Sequence, residues 1–101
     1  MKYTFDSKEF VSFMNKIKDM GLFYATSRRW TLMGMSIESK NPADYITNSV
    51  GLYDMDGVIK FIKDFKGLVE VELTRSHMKI CCDDRQLDTL IKIQTWTELV
   101  I

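Results

Sequence analysis

Two segments of the chain, FDSKEFVSFMNKIKDMGL and YDMDGVIKFIKDFKGL, can be laid one on the other, and no other feature constrains the fold as strongly. Phe5-Asp6 matches Tyr53-Asp54, Phe10-Val11 matches Val58-Ile59, Phe13-Met14 matches Phe61-Ile62 and Ile17-Lys18 matches Phe65-Lys66, all at one offset of 48 positions. After a two-residue gap, Gly21-Leu22 matches Gly67-Leu68. In each segment the apolar residues recur at helical spacing. An aspartate stands where helix amides need a cap, and a glycine stands where a helix stops. Amphipathic pattern and capping chemistry recur in unrelated helices, so the matching flanks add the weight: aromatic-Asp before, Gly-Leu after, extended sequence on both sides. A long-period repeat announces the architecture. One domain, 1–101, is expected, built from units of about 2–48 and 50–96.

The local signals are fullest at the first helix. Asp6 is placed as N-cap with Glu9 at N3, a variant of the capping box, and Phe5 and Phe10 hold the positions of a hydrophobic staple. Phe10, Phe13, Met14 and Ile17 form one face, and Gly21 closes the helix. The second helix starts at Asp54 or Asp56, with Met55, Val58, Phe61, Ile62 and Phe65 on its apolar face. Strands are expected over 2–5, 22–26, 30–38, 45–53 (broken near Asn48-Ser49), 68–73, 77–82 and 88–96. Glu70 and Glu72 should point outward from LVEVEL, which alternates. Ser27-Arg28-Arg29, the proline-containing stretch 40–44 and Asp83-Asp84-Arg85 read as turns or loops. Two helices among about eight short strands make an α+β pattern.

Charge is balanced, with 14 Lys+Arg against 14 Asp+Glu, which excludes a globally basic nucleic-acid binder but leaves room for a basic face. The start, MKYTFDSKEF, has no apolar core, and no run of about 18 apolar residues occurs, so neither a signal peptide nor a membrane span is expected. Cys81 and Cys82 are adjacent and read as reduced thiols of a cytoplasmic compartment. With one histidine, His77, and no CxxC, a zinc site is not expected. The chain lacks a Gly-rich phosphate loop, GxSxG and HExxH. Cys81 or Cys82 with His77 would fall on one hairpin with alternating side chains, where a structural role is favoured. Asp54-Met55-Asp56-Gly57 fails as a calcium loop: counted from Asp54, glycine is fourth rather than sixth and Phe65 occupies the twelfth position. A non-enzymatic chain with no catalytic residues, cofactor or metal is expected. Tyr24, Trp30, Tyr45 and Trp96 could stack on single strands, although strand aromatics of a small domain more often pack. The tail 95–101 could complete a sheet edge.

Val50-Gly51-Leu52-Tyr53-Asp54-Met55-Asp56-Gly57, running into a helix from Val58 to Phe65 and then alternating strands, resembles a domain of the DNA sliding clamps. It is most similar to the N-terminal domain of T-even-type bacteriophage clamps, and the likeness extends over most of the chain, from Lys2 to about Trp96. The resemblance implies a clamp-like domain of two β-α-β-β-β units related by a pseudo-two-fold, with two helices packed side by side on antiparallel sheets. It implies a processivity factor of DNA replication in a bacterial or phage-infected cell. Duplex DNA would be a non-specific partner, a homo-oligomeric ring the working form, and DNA polymerase or other replication proteins further partners. In clamps the helices line the hole, so Lys8, Lys16, Lys18, Lys60, Lys63 and Lys66 would face the duplex. Lysine suits contacts that ignore sequence, and neither helix offers the Arg/Asn/Gln-rich face of major-groove readout. Glu9, Asp19, Asp56 and Asp64 stand among these lysines, which is also the pattern of a solvated helix face. Clamp subunits carry two or three such domains and a ring needs six. A single domain is therefore a fragment, a one-domain subunit, or a clamp-like fold used otherwise, such as a small phage interaction module that binds or regulates a replication or transcription component.

Overall fold

Asp6 and Asp54 both act as helix caps. Asp6 Oδ2 accepts the Glu9 N–H at 3.2 Å and Asp54 Oδ1 accepts the Gly57 N–H at 3.0 Å. Each bond satisfies an amide that the helix itself leaves unpaired. The helices start one residue later, α1 at Ser7–Ile17 and α2 at Met55–Ile62. The computed structural model describes residues 2–26, 28–40, 46–93 and 97–98. Its strands, in chain order, are β1 (Lys2–Asp6), β2 (Leu22–Ala25), β3 (Arg29–Leu32), β4 (Met35–Glu38), β5 (Ile46–Leu52), β6 (Leu68–Leu73), β7 (His77–Cys82), β8 (Arg85–Ile93) and β9 (Thr97–Glu98). The result is a mixed α and β fold of two helices on an antiparallel sheet. Tyr45, Trp96 and most of the tail lie outside the described residues.

Each helix buries the face its spacing marks. In α1 this is Ser7, Phe10, Phe13, Met14 and Ile17; in α2 it is Met55, Val58 and Ile62, with Phe61 and Phe65 half-buried. The Phe5 and Phe10 rings stack at 5.5 Å, so the staple is made. Helix α1 stops at Ile17, earlier than Gly21 suggests. The Met20 and Gly21 amides both return to the Ile17 carbonyl at 2.9 Å, and Gly21 takes the left-handed conformation (φ 66°) that turns the chain away. Gly57 answers a different need: a Cβ there would collide with the Asp54 carboxylate, lying 2.7 Å from its Cγ. Glycine at the third helical position lets this aspartate reach its amide.

The strand order is β1-β6-β7-β8-β5-β2-β3-β4, with β9 pairing β5 off that path. Strand β1 passes over its own successor and pairs with β6, placing Tyr3 opposite Val71 and Phe5 opposite Val69. Strand β5 does the same in the other direction and pairs with β2, placing Val50 opposite Phe23. A short seam of three pairs, Val50↔Ile93 to Leu52↔Ile91, joins the two groups of strands. At the far edges the Thr4 N–H donates to Ser39 Oγ at 2.8 Å and the Lys40 N–H donates to the Thr4 carbonyl at 2.7 Å, which brings the sheet close to a barrel.

Alternation puts Tyr3, Phe5, Phe23, Trp30, Val69, Val71, Met78 and Ile80 on the inner face, all almost fully buried. Trp30 is the centre of this core, with its ring 4.1 Å from Phe23 and 4.8 Å from Phe5. Aromatic pairs at such distances add about 0.5–1.5 kcal/mol each beyond area burial. Glu70 on β6 points outward as its alternation requires, and Glu72 is half-buried.

Three local expectations need correction. The segment 30–38 is a hairpin of β3 and β4, because Met33 and Gly34 both take positive φ (52° and 81°), the geometry of a two-residue turn that follows strand twist. Strand β5 runs unbroken through Asn48 and Ser49 because β2 pairs with it there. Arg85 belongs to β8, opposite Cys82, and Asp83 alone bends left-handed (φ 56°), so the turn is Asp83-Asp84.

Candidate nucleic-acid interface

The helices pack side by side, the start of α1 against the end of α2. The Ser7 N–H donates to the Gly67 carbonyl at 2.9 Å, and the Gly67 N–H donates to Ser7 Oγ at 3.2 Å. These reciprocal bonds tie the first turn of α1 to the connection between α2 and β6. Gly67 adopts φ 137°, a conformation that a side chain would strain. At the other side of α2, the Arg85 guanidinium lies 5.0 Å over the Phe61 ring and donates to the Phe61 carbonyl at 3.3 Å. Sequence reasoning missed this clamp on α2, since nothing local to Arg85 points to Phe61.

All six expected lysines, Lys8, Lys16, Lys18, Lys60, Lys63 and Lys66, are exposed. Among the described residues none of them is in an ion pair; Arg29 and Glu38, at 2.9 Å, pair across β3 and β4 instead. The lysines are not evenly arranged. Lys8, Lys63 and Lys66 share a groove between α1 and the end of α2. Lys8 and Lys16 also line a groove between α1 and β4, but there Asp6, Glu9 and Glu38 accompany them. Lys60 lies four positions after Asp56 and four before Asp64, and Lys18 is adjacent to Asp19. Three lysines therefore meet where α1 begins and α2 ends, with Asp6 in the same lining and Glu9 and Asp64 next to Lys8 and Lys63 in sequence. Finding this required knowing that the start of α1 meets the end of α2, which spacing alone does not give.

No protein-family model, curated protein or solved structure matches the chain. The site must be read from its own geometry.

The remaining candidates separate by burial. Trp30 is fully buried, so it cannot stack on a base; Tyr24 is half-exposed on the outer face of β2. Tyr3 lies deep in the core, where its Oη donates to the Thr26 carbonyl at 2.6 Å. Burial pushes its phenol up to about 12. The Trp30 indole N–H, buried without a hydrogen-bond partner of good geometry, lies beside it and opposes that rise. His77 is exposed, its Nδ1 2.8 Å from Ser76 Oγ. Cys81 shares a face of β7 with His77 but is four residues away, roughly 13 Å at strand rise. Cys82 faces the core, where burial pushes its thiol up, with Arg85 opposing. These residues do not form a thiol–imidazole pair. Among the described residues no group of three or more His, Cys, Asp or Glu could hold a metal ion, and no helix is long and apolar enough to cross a membrane.

Proposed function

We propose that this chain is a DNA-clamp-like, non-enzymatic domain that meets duplex DNA through its helix layer and serves as a processivity factor, or part of one, within a homo-oligomeric ring. One observation carries the reading: the exchange of first strands. β1 completes a sheet with β6-β7-β8, and β5 completes one with β2-β3-β4. Interchanging the two halves of the chain interchanges these two sheets, so the described order fits two β-α-β-β-β units about a pseudo-two-fold. The caps at Asp6 and Asp54, one repeat apart, place the helices equivalently in that scheme.

Exposed lysines on α1 and α2 would meet phosphates without reading bases. A few such contacts give weak affinity, which a closed ring would convert into long residence. Strands β1 and β4 end the strand order and are joined to each other through Thr4, Ser39 and Lys40, so pairing with a neighbouring domain would use the rest of these edges.

The test is salt-sensitive retention on circular DNA, compared with open linear DNA, together with light scattering. Lys60→Glu with Lys63→Glu should release the circle at lower salt. A strict monomer at high concentration counts against a ring built from this domain alone. The mixed charge of the helix faces favours a second reading, a clamp-shaped module that binds a replication or transcription protein. That reading wins if the reversals leave partner binding intact and the wild type ignores DNA.

A further inference from the structure

Among the described residues six large apolar side chains stand exposed, and four of them, Met20, Tyr24, Tyr53 and Leu90, gather on one outer face of the sheet. The pairing brings them together. Tyr24 and half-buried Leu22 share the outer face of β2, with Ser49 and Gly51 opposite them on β5. The Leu52 N–H donates to the Gly21 carbonyl at 2.8 Å, and Leu52 pairs with Ile91 on β8. Met20, Tyr53 and Leu90, one step along these three segments, therefore come level with one another. Single exposed apolar residues are ordinary, whereas a contiguous group marks an interaction surface.

Gly51 lies in the middle of this group, and the fold does not require a glycine there. Its φ is not positive, and an added Cβ would meet the Lys92 carbonyl at 3.6 Å, an ordinary contact. Glycine weakens a strand interior and marks places where another chain approaches the backbone closely. Here it leaves a shallow depression between Leu22 and Lys92. Lys92 is the charge beside that depression. Its neighbour on β5 is Gly51, which brings no carboxylate, and among the described residues Lys92 is in no ion pair. Further along β8 the pattern differs: Lys2, Glu72, Lys79 and Asp88 stand opposite one another in turn across four strands, a row that balances itself. Asp19 and Asp54, next in sequence to Met20 and Tyr53, stand at the rim, and Asp54 is engaged as the cap of α2. Covering Lys92 without a carboxylate would leave a buried charge unpaired, which is costly.

We infer that this face docks an apolar segment of a partner protein, and that the segment carries a carboxylate placed to meet Lys92 beside the Gly51 depression. The inference concerns the outer face of the sheet and does not depend on the nucleic-acid reading of the helices.

A library of short peptides displayed on phage is selected against the immobilised chain, and in parallel against Lys92→Glu and Gly51→Val. Folding of both variants is checked by circular dichroism and thermal unfolding. Wild type should enrich peptides that combine aromatic or aliphatic residues with Asp or Glu. One such synthetic peptide, titrated into the ¹⁵N-labelled chain, should move amides around residues 20–24, 49–53 and 89–93. Lys92→Glu should weaken that peptide by about tenfold or more, the loss expected for a hydrogen-bonded charge, and should itself select Lys or Arg in place of the acid. Gly51→Val should abolish binding without lowering the thermal midpoint, because a β-branched residue suits a strand. No enrichment, amide shifts elsewhere, or indifference to Lys92→Glu would overturn the inference. A dimer seen by light scattering and lost in Tyr53→Ser/Leu90→Ser would also overturn it, by assigning the face to a second copy of the chain. Flotation with phosphatidylcholine or phosphatidylglycerol vesicles, lost in the same variant, would overturn it by assigning the face to lipid.

Discussion

Gly57 offers the sharpest test of how this sequence builds its second helix. Replacing glycine by alanine within a helix ordinarily stabilises by up to about 1 kcal/mol. Here the added Cβ would lie 2.7 Å from Asp54 Cγ, so the aspartate must rotate away and abandon the Gly57 N–H. Losing such a cap costs about 1 kcal/mol. The two effects oppose, so Gly57→Ala should be neutral to mildly destabilising. Asp54→Ala alone should cost about 1 kcal/mol. In the Asp54→Ala background nothing obstructs the methyl group, and Gly57→Ala should then stabilise by up to about 1 kcal/mol. The expected coupling is about 1–2 kcal/mol, readable in a double-mutant cycle. Urea unfolding followed by far-UV circular dichroism measures all four proteins, and each kcal/mol corresponds to roughly 4–8 °C in melting temperature. If Gly57→Ala stabilises equally with and without Asp54, the steric argument for the Tyr-Asp-x-x-Gly turn is wrong.

Alkaline stability should report on Tyr3. Below pH 10 the phenol is neutral both folded and unfolded; between about 10 and 12 only the unfolded chain ionises, so stability falls as pH rises, by roughly 2–3 kcal/mol in total. Tyr3→Phe should flatten that decline and, by orphaning the Thr26 carbonyl, cost about 1 kcal/mol at neutral pH; an unchanged alkaline slope would remove Tyr3 as the cause. Thiol titration with Ellman's reagent should show Cys81 reacting in the folded protein and Cys82 only on unfolding, since Cys82 is buried and its thiol pKa raised; equal rates would contradict the inward placement of Cys82. Met33→Asn should raise the thermal midpoint, by a gain on the order of 0.5 kcal/mol, because asparagine tolerates the positive φ that Met33 holds at an exposed turn; a lower midpoint would mean the turn depends on the methionine side chain.

The parts of the fold legible in the sequence were those decided locally. Asp6 and Asp54 each cap an amide three residues on, and Phe10, Met14, Val58 and Ile62 each follow helical period, so short-range physics settles them. The Met33-Gly34 turn was hidden because methionine rarely takes positive φ and local preference reads the segment as one strand. Alternation in LVEVEL gives the face of β6 but not its partner. That β6 pairs with β1 rather than with β2 is decided by global packing. The lysine positions were likewise legible singly: helical projection turns them outward. Their uneven grouping was not, because it depends on the Ser7–Gly67 bonds that bring together opposite ends of two helices.

The exchange of first strands also bears on how the chain is made. During synthesis β1 emerges well before its partner β6, which ends at Leu73, so this strand must wait while α1, β2 to β5 and α2 are translated. Neither half can close its own sheet, and long-range pairing of this kind slows folding because loop closure precedes any reward. Folding should therefore be a single late event. A nascent chain interrupted before Leu73 would expose β1, with Tyr3 and Phe5 uncovered, as an open edge ready to pair with another chain.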